Sequence, residues 1–599
     1  MFKDIRLVIW DLDETFWRGT LTEGDIAYSQ ANHDIVAELN RRGIMSSICS
    51  RNDHDRVRSI LEAHGAWDQF IFPSIDWEPK PARLQEIIDA VQLRPETILF
   101  IDDHAGNRGA AQAAIPGLNV ADETIIPELL ANPGLRGKHD PELSRLKQYK
   151  ALELRHTAAR RSGGDNADFL RESGITVEII YDVEAHIDRA VELVNRTNQL
   201  NFTKRRLPAD PEQARGRLAA EMAPFHAKAG LVSVRDKYGD YGICGFFLVH
   251  GLQCWGAPQL AHFAFSCRLL GMGVEQWVYD LLGRPQLAIA GDVRSDLSRP
   301  VDWINVGAGG GAADEAADRP FGEVRLRGGC ELEVIEHFFK AHSTSLVTEL
   351  VESRGELYMP RQNSAILAQA LRGLGAAERN VLADLAMDPV AYQTRLFDSC
   401  ADGTLIVYSP TADAMLKIKK HKTLAFQTAV WFREHMLPAA AARTEAQALE
   451  YDRLTAYLAD QFDELPWEGM EKYVAIYREI LERVPENALF VVMLPNCVYN
   501  VDGRAYEVER QKHLNGAFLE AGAGFANVRF VDMNGLLSSL DDVTDHNLHF
   551  NRAVYFRSFT AIRKLYAEWM DARPATAGEG RAPAEPPPRG SSACLTEVG

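Results

Sequence analysis

The sequence predicts an α/β protein that opens with a doubly wound parallel sheet. Three observations predict it. Short runs carrying β-branched and aromatic residues, Leu7–Trp10, Gly43–Ser50 and Thr97–Ile101, alternate with helical patterns. The runs are largely apolar rather than alternating, as in strands covered on both faces. Each runs into a residue able to do chemistry: Asp11, Ser50 or Asp102. Open parallel sheets bind ligands at that carboxyl edge.

Composition sets the frame. A chain of 599 residues, 46% apolar and 25% charged, has room for roughly three or four globular domains. A net charge of −19 argues against a nucleic-acid binder, so an acidic partner must meet a local cluster of cations. Residues Met1–Arg6 lead straight into the first strand without a signal-peptide core, and no run approaches 18 apolar residues. A cytoplasmic protein with no membrane contact is expected. The eight cysteines are scattered, without C-x-x-C pairs or zinc spacing, and read as reduced thiols.

In the first unit, residues 1–150, the opening strand breaks into Asp11-Leu12-Asp13-Glu14-Thr15. One carboxylate can attack phosphorus while the other exchanges a proton. A helical pattern at Asn32–Arg42 precedes the second strand, and Asp53 is placed to cap the next helix. Lys80 stands between Pro79 and Pro81, which fix its backbone. The strand Thr97–Ile101 ends in Asp102-Asp103. Singly these are ordinary: a capping serine, a surface lysine, a turn aspartate. In order they make a phosphoryl-transfer set. Asp11, Asp102 and the Asp13 carbonyl offer hard oxygens to Mg²⁺, with Asp103 the alternative to its neighbour. Ser50 and Lys80 can hold phosphoryl oxygens, and Asp13 can be the general acid-base.

This series resembles the haloacid dehalogenase superfamily of phosphohydrolases and phosphotransferases. No long insertion follows the first motif, so the cap domain of many such enzymes is expected to be absent. The open site is then expected to share a cleft with the next unit.

That second unit, residues 151–305, has a helical stretch at Val183–Leu200, an amide-rich segment Asn195–Thr203, and then Lys204-Arg205-Arg206, a candidate cationic dock. Strands Val232–Asp236 and Ile243–Val249 flank a turn at Gly239–Gly242, and His262–Ser266 enters Cys267-Arg268-Leu269-Leu270-Gly271-Met272-Gly273. The spacing of Arg268, Gly271 and Gly273 resembles the pyrophosphate loop of GNAT acyltransferases. A thiol at a helix N-terminus beside Arg268 is expected to have a depressed pKa and to be nucleophilic. With Asn198-Gln199-Leu200-Asn201 and Ser266–Gly271 both present, the first 300 or so residues resemble the FkbH-like family, in which a haloacid dehalogenase domain is joined to a GNAT-like α+β domain.

The resemblance implies that a glyceryl unit from 1,3-bisphosphoglycerate is loaded, with loss of phosphate, as a thioester onto an acyl carrier protein in polyketide or related biosynthesis. It assigns phosphate removal to Asp11 and Asp13 and the acyl-enzyme to Cys267. The carrier's phosphopantetheine arm would meet Lys204–Arg206. The chain departs from the family at Asp13-Glu14-Thr15 and Ser50-Arg51-Asn52, where Asn and Lys respectively are more usual. The alternative function is a Mg²⁺-dependent phosphatase with the other units as cap or carrier-docking modules.

Residues 306–320, including Gly307–Ala313, have linker composition. The third unit, residues 321–570, weakly resembles SGNH-type α/β esterases. Val324–Cys330 is a strand running into a glycine turn, Thr404–Tyr408 and Leu489–Leu494 are further strands, and Asp545 and His549 precede a last helix. Cys330, His549 and Asp545 would suit acyl transfer through a second thioester. The tail, residues 571–599, is proline-rich and is expected to be disordered.

Overall fold

The computed structural model describes residues 2, 4–162, 166–253, 256–307, 320–350, 352–353, 357–432, 444–466, 471–544 and 549–573. Its first five strands are β1 (Leu7–Trp10), β2 (Met45–Ser50), β3 (Ser74–Ile75), β4 (Ile98–Ile101) and β5 (Asn119–Ala121). They form one sheet in the order β3-β2-β1-β4-β5, and every pairing is parallel. Helices α1 (Gln30–Arg41), α2 (His54–Ala63), α3 (Lys80–Val91) and α4 (Ala105–Ala114) make the crossovers. Side chains alternate across a strand, so Val8 and Trp10 enter one apolar cluster while Leu7 and Ile9 enter another. This is why the strand is apolar throughout. Ser29 caps α1, and Asp53 caps α2 by accepting from Arg56 N at 2.9 Å.

Helix α5 (Ser144–Ser162) crosses the expected boundary at residue 150. Its Leu146, Tyr149 and Leu152 pack into the cluster on the Leu7 and Ile9 face of the sheet.

The second sheet contains β6 (Thr176–Ile180), β7 (Leu200–Asn201), β8 (Ala227–Asp236), β9 (Gly239–His250), β10 (Gln259–Phe265) and β11 (Asn305–Val306). Its order is β11-β6-β8-β9-β10-β7, antiparallel except where β11 meets β6. The β8–β9 hairpin turns at Lys237-Tyr238, earlier than the glycines at 239 and 242 suggested. Helix α6 (Ile187–Arg196) is shorter than the expected Val183–Leu200 stretch, and α7 (Val274–Leu281) follows Gly273.

The third sheet is again wholly parallel: β12 (Phe321–Arg327), β13 (Ser343–Glu349), β14 (Thr404–Tyr408), β15 (Ala488–Leu494) and β16 (Val528–Asp532), in the order β13-β12-β14-β15-β16. Helix α8 (Cys330–Phe339) follows β12, and α9 (Arg552–Ala572) closes the unit.

The second and third units share one apolar core, which runs from Val177 and Phe247 to Phe338 and Phe559 without a break. Arg552, 1% exposed, donates from α9 to both Glu184 carboxylate oxygens at 2.8 and 2.9 Å and to the Ala229 carbonyl at 3.1 Å. Burial of a guanidinium is tolerable only with such pairing. Most of the expected linker, residues 308–319, and the tail from residue 574 lie outside the described residues. No described helix is long and apolar enough to cross a membrane.

Candidate active site

The order β3-β2-β1-β4-β5 reverses direction between β1 and β4, which opens a crevice at their carboxyl ends. Asp11 follows β1, Asp102 follows β4, and Lys80 reaches them from the first turn of α3, which Pro79 caps. Lys80 Nζ lies 2.8 Å from Asp11 Oδ2 and 2.5 Å from Asp102 Oδ2. All three are buried, Lys80 to 2% exposure. Burial pushes the Asp11 carboxyl up to about 6; Lys80 pulls against that and Asp102 adds to it. Burial alone would lower the Lys80 pKa, but the two carboxylates outweigh it and raise it above the usual lysine value.

Asp13 is held for a different task. Its Oδ1 accepts from Trp17 Nε1 at 2.9 Å and from Leu21 N at 3.2 Å, and its Oδ2 accepts from Asn52 Nδ2 at 3.1 Å. The same Asn52 amide reaches Ser50 Oγ at 3.2 Å, so it ties the acid-base candidate to the serine expected to hold phosphate. Sequence reasoning noted Asn52 only within the segment Ser50-Arg51-Asn52, where a lysine is more usual in the family, and missed this bridge. It also missed Asn107, which donates to Asp102 Oδ1 at 3.1 Å, and Thr15, whose hydroxyl accepts from Asp103 N at 3.0 Å. Arg83 braces the edges of β2 and β3, donating to the Ser50 carbonyl at 2.9 Å and to Ser74 Oγ at 3.0 Å. Glu14 has φ +52°, a conformation that asparagine tolerates better, and it steadies itself by accepting from Gly19 N at 2.9 Å.

Asp11, Asp102 and Asp103 each offer an oxygen within 4.8 Å of the others, a donor set that suits a hard divalent cation. That set is of side-chain oxygens; the Asp13 ligand expected from the sequence is its backbone carbonyl, while its side chain is engaged by Trp17, Leu21 and Asn52. Asp103 stands beside Asp102 in it rather than replacing it.

Cys267 lies elsewhere. It lines a cavity of about 410 Å³ with Arg268, and the first unit contributes Arg6 and Gly43 to the wall. An adjoining cavity of about 270 Å³ is lined by Cys267, Thr97, Arg94 and Arg206. Arg6, Gly43 and Thr97 precede β1, β2 and β4, so these cavities open at the amino edge of the sheet whose carboxyl edge carries Asp11. At ~3.3 Å per strand residue the two edges are roughly 15 Å apart. Among the described residues the Cys267 cavities thus open at the edge opposite Asp11, against the expectation of a common cleft, because the second unit packs against the amino edge.

Two further expectations about Cys267 are corrected. It sits on the short turn Cys267–Leu269, not in the first turn of α7, which starts at Val274. Burial raises its thiol pKa above the ordinary value; backbone hydrogen bonds from Gln199 and Asn198, and the Arg268 charge, oppose this without offsetting it. Gly271 and Gly273 both have positive φ, +72° and +78°. A side chain at Gly271 would meet open space, whereas one at Gly273 would strike Trp303 at 2.9 Å.

Nor is Lys204–Arg206 one patch. Lys204 Nζ donates to the Asp292 carbonyl at 2.8 Å, Arg205 lies 3.8 Å from Glu221, and Arg206 alone of the three faces the smaller cavity. The cationic character comes instead from Lys138, Arg189 and Arg196 around Glu192. Burial opposes the Glu192 charge, but these three cations hold its pKa at about 2.

In the third unit Cys330 Sγ lies 2.9 Å from His549 Nε2. Asp545, the expected third member, lies outside the described residues.

No family model matches the chain, and no curated protein matches it. Solved structures do. The N-terminal part of a Bacteroides fragilis protein containing a phosphatase domain, complexed with Mg, is 24% identical over 24% of this chain and 40% of that one, with a TM-score of 0.19. This chain thus spans less than half of that protein. The cobalt-bound deoxy-D-mannose-octulosonate 8-phosphate phosphatase of Haemophilus influenzae is 19% identical over 21% of this chain and 74% of its own, with a TM-score of 0.17. A probable YrbI-family phosphatase of Pseudomonas syringae pv. phaseolica is 14% identical over 27% and 95%, with a TM-score of 0.17.

Proposed function

We propose that the chain is a Mg²⁺-dependent phosphohydrolase of the haloacid dehalogenase type, and that it loads a glyceryl or related hydroxyacyl unit through Cys267 onto an acyl carrier protein. The first half is carried by the meeting of Asp11, Lys80 and Asp102 at one sheet edge, with Ser50 and Asp13 tied together beside them by Asn52. Asp11 attacks phosphorus while Ser50 and Lys80 hold the non-bridging oxygens. Asp13 protonates the departing oxygen, then takes a proton from the water that frees phosphate from Asp11. Asp11, Asp102 and Asp103 would hold Mg²⁺, which would supply positive charge against the phosphoryl oxygens.

The second half is supported by the thiol of Cys267 opening into a cavity rich in arginine, which suits a phosphorylated acyl donor or a phosphopantetheine arm. The separation of the two sites alters the expected order of events. One bound three-carbon substrate cannot touch both, so the acyl group must travel on a flexible carrier arm or be released between steps.

The test is to incubate the full chain with Mg²⁺, a carrier protein and phosphorylated three-carbon acids, following phosphate release and the intact mass of the carrier. Asp11→Asn is expected to abolish phosphate release, and Cys267→Ala to abolish carrier acylation. Unaffected acylation in Cys267→Ala would sink the loading half and leave a phosphatase with two appended units.

A further inference from the structure

The smaller of the two cavities at Cys267, about 270 Å³, is built where the first and second units meet. Among the described residues it is lined by four arginines and by no carboxylate. In a chain of net charge −19 that is a local excess of the opposite sign. Two of the four are already paired, Arg6 with Asp4 at 3.1 Å and Arg196 with Glu192 at 2.8 Å. The other two, Arg94 of the first unit and Arg206 of the second, form no ion pair among the described residues. Burial lowers the Arg206 pKa and the Arg94 charge lowers it further, so the two guanidiniums oppose each other across the unit boundary.

Both are held by their turns. Arg94 precedes Pro95, which favours its extended backbone (φ −76°, ψ 139°). The Arg94 carbonyl accepts from Thr97 N at 2.9 Å and from Thr97 Oγ1 at 2.8 Å, which closes the turn into β4. Arg206 donates to the Val194 carbonyl in α6, and Leu207 N beside it donates to Asn195 Oδ1 at 2.8 Å.

Two like charges fixed near each other repel, and an anion between them removes that cost. A guanidinium is a planar fork that matches phosphate oxygens, so two forks from opposite walls can grip one phosphate. Cys267 lines the same cavity, which limits the size of the ligand that reaches both. The phosphate of a pantetheine arm stands many bonds from its own thiol, too far for a cavity of this volume. A phosphate on a three-carbon acid stands only a few bonds from the carboxyl carbon.

We propose that the smaller cavity binds a compact phosphorylated acid, its phosphate monoester clamped between Arg94 and Arg206 and its carboxyl carbon facing Cys267. This deepens the loading reading and rests on it for the role of Cys267, but the clamp itself requires no acyl transfer. It gives the first unit a second task. The carboxyl edge of its sheet carries Asp11, and the amino edge supplies one jaw of an anion site shared with the next unit.

The probe is 3-phosphoglycerate, added to the full chain in EDTA at about pH 9 while iodoacetamide modifies Cys267, followed by peptide mapping. EDTA prevents Mg²⁺-dependent hydrolysis of the probe. 3-Phosphoglycerate should protect Cys267, and glycerate, which lacks the phosphate, should not. Arg94→Ala and Arg206→Ala should each raise the half-protecting concentration about 10- to 100-fold, as loss of a charge-assisted partner does. Arg94→Lys and Arg206→Lys keep the charge without the fork and should fall between; they serve where an alanine variant does not fold. Absence of protection, equal protection by glycerate, or wild-type protection in both alanine variants would overturn the proposal. So would a larger loss in Arg145→Ala, because Arg145 lines only the larger cavity. Failed protection with carrier acylation intact sinks the clamp alone, whereas protection without any carrier acylation sinks the loading reading and leaves the clamp.

Discussion

The first and third sheets are built alike and used differently. Both are parallel, both have five strands, and each places chemical groups at the crevice where strand order reverses. In the first, local chain segments supply every group: the ends of β1, β2 and β4 and the first turn of α3 carry Asp11, Ser50, Asp102 and Lys80. In the third, Cys330 follows β12, but its partner His549 is 219 residues away and is braced by an aromatic ring from a different unit. The first site is a charged knot whose members need one another to stay buried. The third pairs a thiol with an imidazole and sits on a continuous apolar seam. Coulombic interdependence therefore governs the first, and inter-unit packing the third.

The largest effect expected from this contrast is catalytic. Asp11→Asn should lower Mg²⁺-dependent phosphate release by at least about 10³-fold, as loss of a nucleophile does; retention of a tenth of the rate would remove Asp11 from the mechanism. Stability separates the two sites next. Lys80→Met leaves Asp11 and Asp102 buried without their cation and should cost about 3–5 kcal/mol, read by urea unfolding. Cys330→Ala leaves no buried charge and should cost under about 1.5 kcal/mol by the same measurement. Equal losses would erase the distinction.

Smaller in effect, Asn52→Ala should lower the phosphatase kcat with little change in KM, since the amide orders Asp13 and Ser50 rather than holding substrate, at a cost of about 1–2 kcal/mol. A rise in KM alone would place Asn52 in substrate binding. The thiols give a further comparison. Because burial raises the Cys267 pKa, less thiolate exists at neutral pH than in a free cysteine, and iodoacetamide should modify it more slowly below pH 8, with the rate still climbing above pH 9. A plateau below pH 8 would reverse the sign of that shift. The smallest effect concerns Glu192. Its carboxyl is held well below the ordinary value, so its stabilising contribution is present above about pH 4.5 and is lost as the pH falls toward 2. Glu192→Gln should flatten that acid limb of the unfolding curve, and an unchanged limb would assign it to other carboxylates.

Much of the first site is legible in the sequence because its chemistry is local. A strand that ends in Asp-x-Asp, a serine at the end of the next, and a lysine between prolines each declare their place along the chain. The supporting amides of Asn52 and Asn107 were not legible, since nothing in a lone asparagine says which carboxylate it faces. The expectation of a depressed Cys267 pKa failed for a related reason. The Arg-x-x-Gly-x-Gly spacing is real, but the helix begins seven residues after the cysteine and burial outweighs the charges near the sulphur.

The sequence by itself determined the parallel first sheet, the strand-end residues of the first site and the pairing of Cys330 with a late histidine as a candidate. Residue type and strand periodicity are local properties, and they survive without knowledge of the rest of the chain. Only the tertiary structure decided that Cys267 opens at the amino edge of the first sheet, away from Asp11, and that Phe225 of the second unit stacks on the histidine beside Cys330. Those facts depend on which face of one unit packs against another, and burying a continuous apolar surface sets that choice across hundreds of residues.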